Sequence, residues 1–370
     1  MKSTLLFVGT RFRLNQMLSD YVLRHLNTNS IIAQNIIYFD SNDKNLILEL
    51  ERLLELNLNL LIATDEQSFS LIGKMLCTLT GDNQILFDEM LLPSKTSVYE
   101  QNSYLLEHNR SRINVILTQT LSELPPILLN HNSSRIQLHI FQEEKPLILL
   151  NPLAKTFEID MNLIEVVDGW LLLEAQSRKF GNLTKFIEKS SVLLSGKIIA
   201  STSPVTYIIE KLAHNNKTVS FAESCTGGLL ASFLTSQSGS SAVFNGSLVT
   251  YSDELKSEWL GIDEEIIKKN GAVSEQTVEK MLLGALAVSK ADYSLAISGI
   301  AGPTGGSEEK PVGTVIIGAS TRKKSIVKNC FFAGDRKYIQ EQSAYTALKM
   351  LLEIDSELFF SKYSENTLDN

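Results

Sequence analysis

The sequence predicts an α/β protein built from two alternating strand–helix regions joined by a short middle module. Three observations carry this. The chain has 370 residues, and at roughly 150 residues per domain that length accommodates two or three cores. Apolar residues make up 44% and charged residues 21% of the chain, close to the usage of folded globular domains. Short apolar runs alternate with helix-patterned stretches near both ends, the order that generates βαβ units and mostly parallel sheets.

Taken in order, strand-like runs at Thr4 to Gly9, Ile31 to Phe39 and Leu58 to Ala63 alternate with helical patterns at Asn15 to Leu26, Asn45 to Leu56 and Ser68 to Leu79. The expected first domain is 1–145, a middle module or connector is 146–202, the second α/β domain is 203–360, and 361–370 is a polar, frayed tail. The middle module contains Asp168-Gly169-Trp170 and has no assigned elements. In the last domain the pattern reads strand Val219 to Ala222, helix Thr226 to Thr235, strand Val243 to Thr250 and helix Glu275 to Ser289. Strands Tyr293 to Ser298, Gly313 to Ala319 and Ser325 to Phe332 follow, and helix Lys337 to Leu352 closes it.

Composition removes several classes of function. The formal net charge of −8 argues against a nucleic-acid partner held by a basic face. Three scattered cysteines, Cys77, Cys225 and Cys330, form neither a disulfide framework nor a cysteine zinc site and indicate a reducing, cytoplasmic compartment. The first residues read as a strand rather than a secretory signal, and no stretch of about 18 apolar residues suggests a membrane span.

Candidate chemistry concentrates at strand ends of the last domain, where open α/β sheets place their ligands. In Ala222-Glu223-Ser224-Cys225-Thr226-Gly227-Gly228, a strand runs into a turn carrying Ser224, and two glycines open the expected helix. Its first N–H groups would be available to an oxyanion or phosphate. Ser224 or Thr226 acting only as a helix cap is the plain alternative. All five histidines, His25, His108, His131, His139 and His214, precede this region, so a base for Ser224 is sought among lysines. A lysine serves when burial or neighbouring positive charge lowers its pKa from about 10.4. Lys256 is the choice, in Thr250-Tyr251-Ser252-Asp253-Glu254-Leu255-Lys256; most helix lysines are simply solvated. Cys225, the rival nucleophile, reads as a packing thiol. The loop Ser298-Gly299-Ile300-Ala301-Gly302-Pro303-Thr304-Gly305-Gly306 offers backbone donors but lacks the Gly-Lys of a Walker loop. Arg336, in Gly334-Asp335-Arg336, can clamp an anion.

Together these segments closely resemble the C-terminal domain of the competence-damage-inducible (CinA) family, some of whose members are nicotinamide mononucleotide deamidases. The matching motifs are AESCTGG at 222, Tyr251 with Lys256, SGIAGPTGG at 298, PVGTVIIG at 311 and FAGDR at 332, within about 203 to 356. The resemblance implies an α/β/α sandwich that hydrolyses a carboxamide to a carboxylate and ammonia, in pyridine-nucleotide salvage, with no cofactor and no metal. Carried over by position, Ser224 attacks, Lys256 and Tyr251 move protons, and Cys225, Thr226, Gly227, Gly302, Thr304, Gly305 and Arg336 bind a small nucleotide. The implied assembly is a homodimer, without nucleic-acid or membrane partners.

The first 145 residues resemble the family's N-terminal domain, of molybdopterin-binding fold, which in some members hydrolyses ADP-ribose. That family usually shows Gly-Asp-Glu after the first strand and a Gly-Gly-Leu-Gly-Pro-Thr run after the third. Here Gly9-Thr10-Arg11 and Ala63-Thr64-Asp65-Glu66-Gln67 stand instead, so a retained fold with a lost or altered site is expected. The alternatives to the amidohydrolase are an ADP-ribose pyrophosphatase working through the N-terminal domain and a non-catalytic, competence-related binding protein. A short-chain dehydrogenase fails because four residues, not three, separate Tyr251 from Lys256.

Overall fold

The computed structural model describes residues 3–29, 31–56, 58–119, 122–129, 135–141, 146–201 and 203–360; His131 and the expected tail 361–370 lie outside them. The chain divides into two compact units, Met1–Ser133 and Ser134–Asn370.

The first unit runs β1 (Ser3–Val8), α1 (Thr10–Leu14), α2 (Gln16–Thr28), β2 (Asn35–Phe39), α3 (Leu46–Glu55), β3 (Asn59–Thr64) and α4 (Glu66–Thr80). After these come β4 (Gln84–Phe87), β5 (Met90–Pro93), β6 (Thr96–Glu100), β7 (Ser103–His108) and β8 (Ser111–Leu117). Its six-stranded sheet has the order β2-β1-β3-β8-β7-β6, with a separate β4-β5 ribbon. The first four strands are parallel, whereas β8, β7 and β6 pair antiparallel. Two-residue connections explain the reversal: Asn102 (φ 64) and Asn109 (φ 52) make tight turns, and such turns join only antiparallel neighbours. Strand alternation divides the core. Leu5 and Phe7 pack with Phe12, Val22 and Leu26, while Leu6 and Val8 pack with Leu50, Ile62 and Leu76 on the other face.

Where a ligand would sit beyond β1 and β3, Arg11 donates to the carbonyl and hydroxyl of Thr118. The Asp65 carboxylate caps α4 through Ser68 N–H and accepts from Ser41 Oγ.

The second unit opens with a small antiparallel sheet, order β10-β11-β9-β12. It comprises β9 (Arg135–Phe141), α5 (Pro146–Thr156), β10 (Ile159–Val167), β11 (Trp170–Ser177), α6 (Leu183–Leu193) and β12 (Ile198–Ile199). Most of the segment without assigned elements is thus a hairpin and two helices, turned at Asp168-Gly169, where Gly169 has φ 70.

The remaining elements are α7 (Pro204–His214), β13 (Val219–Glu223), α8 (Leu229–Thr235), β14 (Phe244–Val249), α9 (Asp253–Leu260), α10 (Glu264–Asn270) and α11 (Glu275–Ser289). They end with β15 (Tyr293–Gly299), β16 (Thr314–Thr321), β17 (Ser325–Phe331), α12 (Arg336–Ile354) and α13 (Ser356–Phe360). The sheet order is β14-β13-β15-β16-β17, parallel over the first three strands and antiparallel beyond. Phe221, Leu295 and Ile317 face Ile208, Leu230 and Leu348 of α7, α8 and α12. Ala222, Ala296 and Ile316 face Leu260, Met281 and Leu282 of α9 and α11. The result is a sheet between two helical layers, with the carboxyl ends of β13, β14 and β15 side by side. The small sheet rests on this sandwich: Lys349 Nζ of α12 donates to Asp168 O at 2.7 Å, and the Trp170 ring meets Tyr345 edge-on at 5.5 Å.

Candidate active site

Ser224 is the first residue after β13. Its N–H donates to Ile297 O of β15 at 2.9 Å, and Thr250 N–H donates to Glu223 O, also at 2.9 Å. The turn is therefore tied to both flanking strands. Among the described residues the buried Ser224 hydroxyl makes no hydrogen bond.

The helix expected from Thr226 begins at Leu229. Gly227 (φ 59) and Gly228 (φ 98) adopt left-handed conformations that glycine tolerates and that no α-helix interior admits. The first N–H groups of α8 are also not available to a ligand. The fully buried Glu223 carboxylate accepts from the N–H groups of Gly228 (3.1 Å), Leu230 (3.0 Å) and Ala231 (3.0 Å), and from Ser247 Oγ (2.9 Å). The expectation that these groups would hold an oxyanion is corrected on this point. The donors left in the turn are the N–H groups of Cys225 and Thr226, neither of which has a backbone acceptor among the described residues. The Thr226 hydroxyl is likewise buried and unpartnered.

Arg336, first residue of α12, donates from Nη1 to Gly302 O at 2.6 Å and from Nη2 to Tyr251 Oη at 2.8 Å. One guanidinium thereby fastens the loop after β15 to Tyr251, two residues past β14. One turn further along α12, Gln340 Nε2 donates to Cys225 O at 2.7 Å. Of the sequence-selected residues, Tyr251, Gly302 and Arg336 form one bonded group, and Ser224, Cys225 and Thr226 share a turn attached to the same helix. Thr304 and Gly305 are exposed and make no hydrogen bond to this group.

Lys256 is not a solvated helix lysine: its side chain is 2% exposed. Nζ lies 3.4 Å from Ser252 O and 3.3 Å from Asp253 Oδ1, and no hydrogen bond joins it to Ser224. Burial pushes the Cys225 thiol up to about 12, against a downward pull from its own N–H and from Arg336 and Lys256. Arg336 and Lys256 thus both bear electrostatically on the turn. Glu223, Asp253 and Gln340 are residues that the sequence reading missed. Among the described residues no group of three His, Cys, Asp or Glu side chains is placed to hold a metal ion, and no helix is long and apolar enough to cross a membrane.

An unbonded serine hydroxyl on a strand-end turn, an arginine-held loop bound to the same helix and a buried lysine on α9 together define an α/β domain with a candidate serine-nucleophile site. Residues 202–354 match the family model described as the CinA C-terminal domain. The Escherichia coli K12 protein named nicotinamide-nucleotide amidohydrolase PncC is 48% identical over 143 residues, 38% of this chain and 87% of that protein. A CinA-like protein of Endomicrobium trichonymphae is 49% identical over 140 residues, 38% of this chain and 33% of its own length. The chain belongs to the CinA family. The crystal structure of the competence/damage inducible protein CihA from Agrobacterium tumefaciens has 40% identity and TM-score 0.40, covering 41% of this chain and 93% of that one. The matched region spans only a third to a half of the CinA-like relatives' length.

Proposed function

We propose that the region 202–354 hydrolyses the carboxamide of nicotinamide mononucleotide, giving nicotinate mononucleotide and ammonia. The observation that carries this reading is the convergence of three loops on Arg336 and Gln340 beside the unbonded Ser224 hydroxyl. The similarity to proteins named as nicotinamide-nucleotide amidohydrolases supports it. The Lys256 amine takes the Ser224 proton as Oγ bonds to the amide carbon, and the carbonyl electron pair moves onto oxygen. Collapse of this intermediate breaks the C–N bond. Ammonia leaves with a proton delivered from Lys256, by way of Tyr251, and an ester on Ser224 remains. Water then adds to the ester carbon as Lys256 takes one of its protons; the C–Oγ bond breaks, Ser224 Oγ recovers that proton from Lys256, and the acid loses its remaining proton to solvent as the carboxylate. For the first step Lys256 Nζ turns from Asp253 toward Ser224. Arg336 supplies charge-assisted donors for an anionic substrate.

The test measures ammonia and nicotinate mononucleotide together. Equimolar release by the wild-type chain is expected, together with loss of several orders of magnitude in Lys256→Ala and near-normal turnover in Cys225→Ala. Release of AMP from ADP-ribose without ammonia from the mononucleotide would overturn the reading.

A further inference from the structure

Gln340 takes no part in the chemical steps above, yet it makes one specific contact with the turn that carries Ser224. Its Nε2 donates to Cys225 O at 2.7 Å, and it sits four residues after Arg336 on the same face of α12. The Cys225–Thr226 peptide is planar and trans, so its C=O and N–H point in opposite directions. Holding the carbonyl toward α12 therefore holds the Thr226 N–H away from α12. That N–H has no acceptor among the described residues, whereas the later amides of the segment are engaged: Gly227 with Ser224 O, Leu229 with Thr226 O, and Gly228, Leu230 and Ala231 with Glu223. Among the described residues the Gln340 amide is the one side chain bonded to the Cys225 carbonyl.

We propose that Gln340 is a positioning residue that fixes the Cys225–Thr226 peptide so that the Thr226 N–H serves as an oxyanion donor for attack by Ser224. The inference rests on the serine reading of the site. An oxyanion donor bonds better to the tetrahedral intermediate than to the ground-state amide, so its misplacement lowers kcat and leaves KM nearly unchanged.

Three substitutions separate donation from shape. Gln340→Met keeps the length without a donor, Gln340→Glu offers only acceptors, and Gln340→Arg offers only donors. Ammonia release from nicotinamide mononucleotide by the full chain should show kcat lowered about 10- to 100-fold in Met and Glu, KM within about twofold, and most of the loss recovered in Arg. Labelling of Ser224 by a fluorophosphonate, in which an Oγ–P bond forms and fluoride leaves, should follow the same order without any nucleotide. If the Met protein fails to fold, the Glu and Arg comparison decides. Equal kcat in all three, or a rise in KM alone, would overturn the role of Gln340. Ser224→Ala accompanies the series. Full activity there sinks the serine reading itself, whereas an inactive Ser224→Ala with unchanged Gln340 variants sinks only this inference.

Discussion

Glu223 gives the sharpest prediction about what holds the site together. Its carboxylate is fully buried and takes four hydrogen bonds, two on each oxygen. Among the described residues no ion pair to it is formed. In Glu223→Ala three backbone N–H groups and the Ser247 hydroxyl lose their acceptor. Each buried orphan costs about 1–3 kcal/mol, and water entering the vacated space offsets part of the sum, so a loss of about 4–5 kcal/mol is expected. Glu223→Gln keeps the shape. With its oxygen toward Gly228 and Leu230, its amide nitrogen faces Ala231 N–H and Ser247 Oγ. The hydroxyl can turn to accept, leaving one backbone donor unmet and a cost of about 2 kcal/mol. Both tryptophans, Trp170 and Trp259, lie in the second unit. Urea unfolding of the full chain followed by their fluorescence therefore reports on this unit. Equal losses in the two variants, or losses below about 1 kcal/mol in both, would refute the capping account.

His139 supplies a pH prediction: burial pushes its ring down to about 4, and the neutral Nδ1 accepts from Trp170 Nε1 at 3.1 Å. The unfolded chain binds the proton first, so this stability is intact above about pH 6.5 and disappears as pH falls toward about 4, a loss of about 3 kcal/mol. The wild-type slope of unfolding free energy against pH should exceed that of His139→Gln over this window, and identical slopes would contradict it. Cys225, raised to about 12 by burial, should resist iodoacetamide in the folded protein at pH 8 and react on unfolding; rapid labelling of the native thiol would contradict this. Gly284 of α11 leaves no room for a methyl group, since a Cβ there would stand 2.3 Å from Leu260 O. Gly284→Ala should cost about 1–3 kcal/mol and displace α9, lowering kcat through Lys256, and a variant with wild-type stability and kcat would contradict that close approach.

The strand–helix order of the last region was legible because its strands are short apolar runs ending in glycine or polar turns. Ser224, Tyr251 and Gly302 were legible as candidates for the same reason, each standing just past such an end, and Arg336 because it opens the closing helix. The antiparallel edge of the first unit was harder to read, since β7 and β8 are as apolar as parallel strands and only Asn102 and Asn109 mark the hairpins. Glu223 was missed because helix caps are sought among serine, threonine, aspartate and asparagine. A glutamate closing the otherwise uncharged strand Val219–Glu223 was the available signal, because a buried charge must find partners. Lys256 stands four residues before buried Leu260, hence on the inward face of α9, which explains its burial. Its turn toward Asp253 depends on rotamers that sequence patterning does not encode.

The central claim is that Ser224 is the nucleophile. Ammonia release from nicotinamide mononucleotide by Ser224→Ala, with folding confirmed by circular dichroism and an unchanged tryptophan unfolding midpoint, tests it most directly. The account predicts a fall in kcat of at least about three orders of magnitude with binding of the product nicotinate mononucleotide retained. Turnover within a few fold of wild type would contradict it.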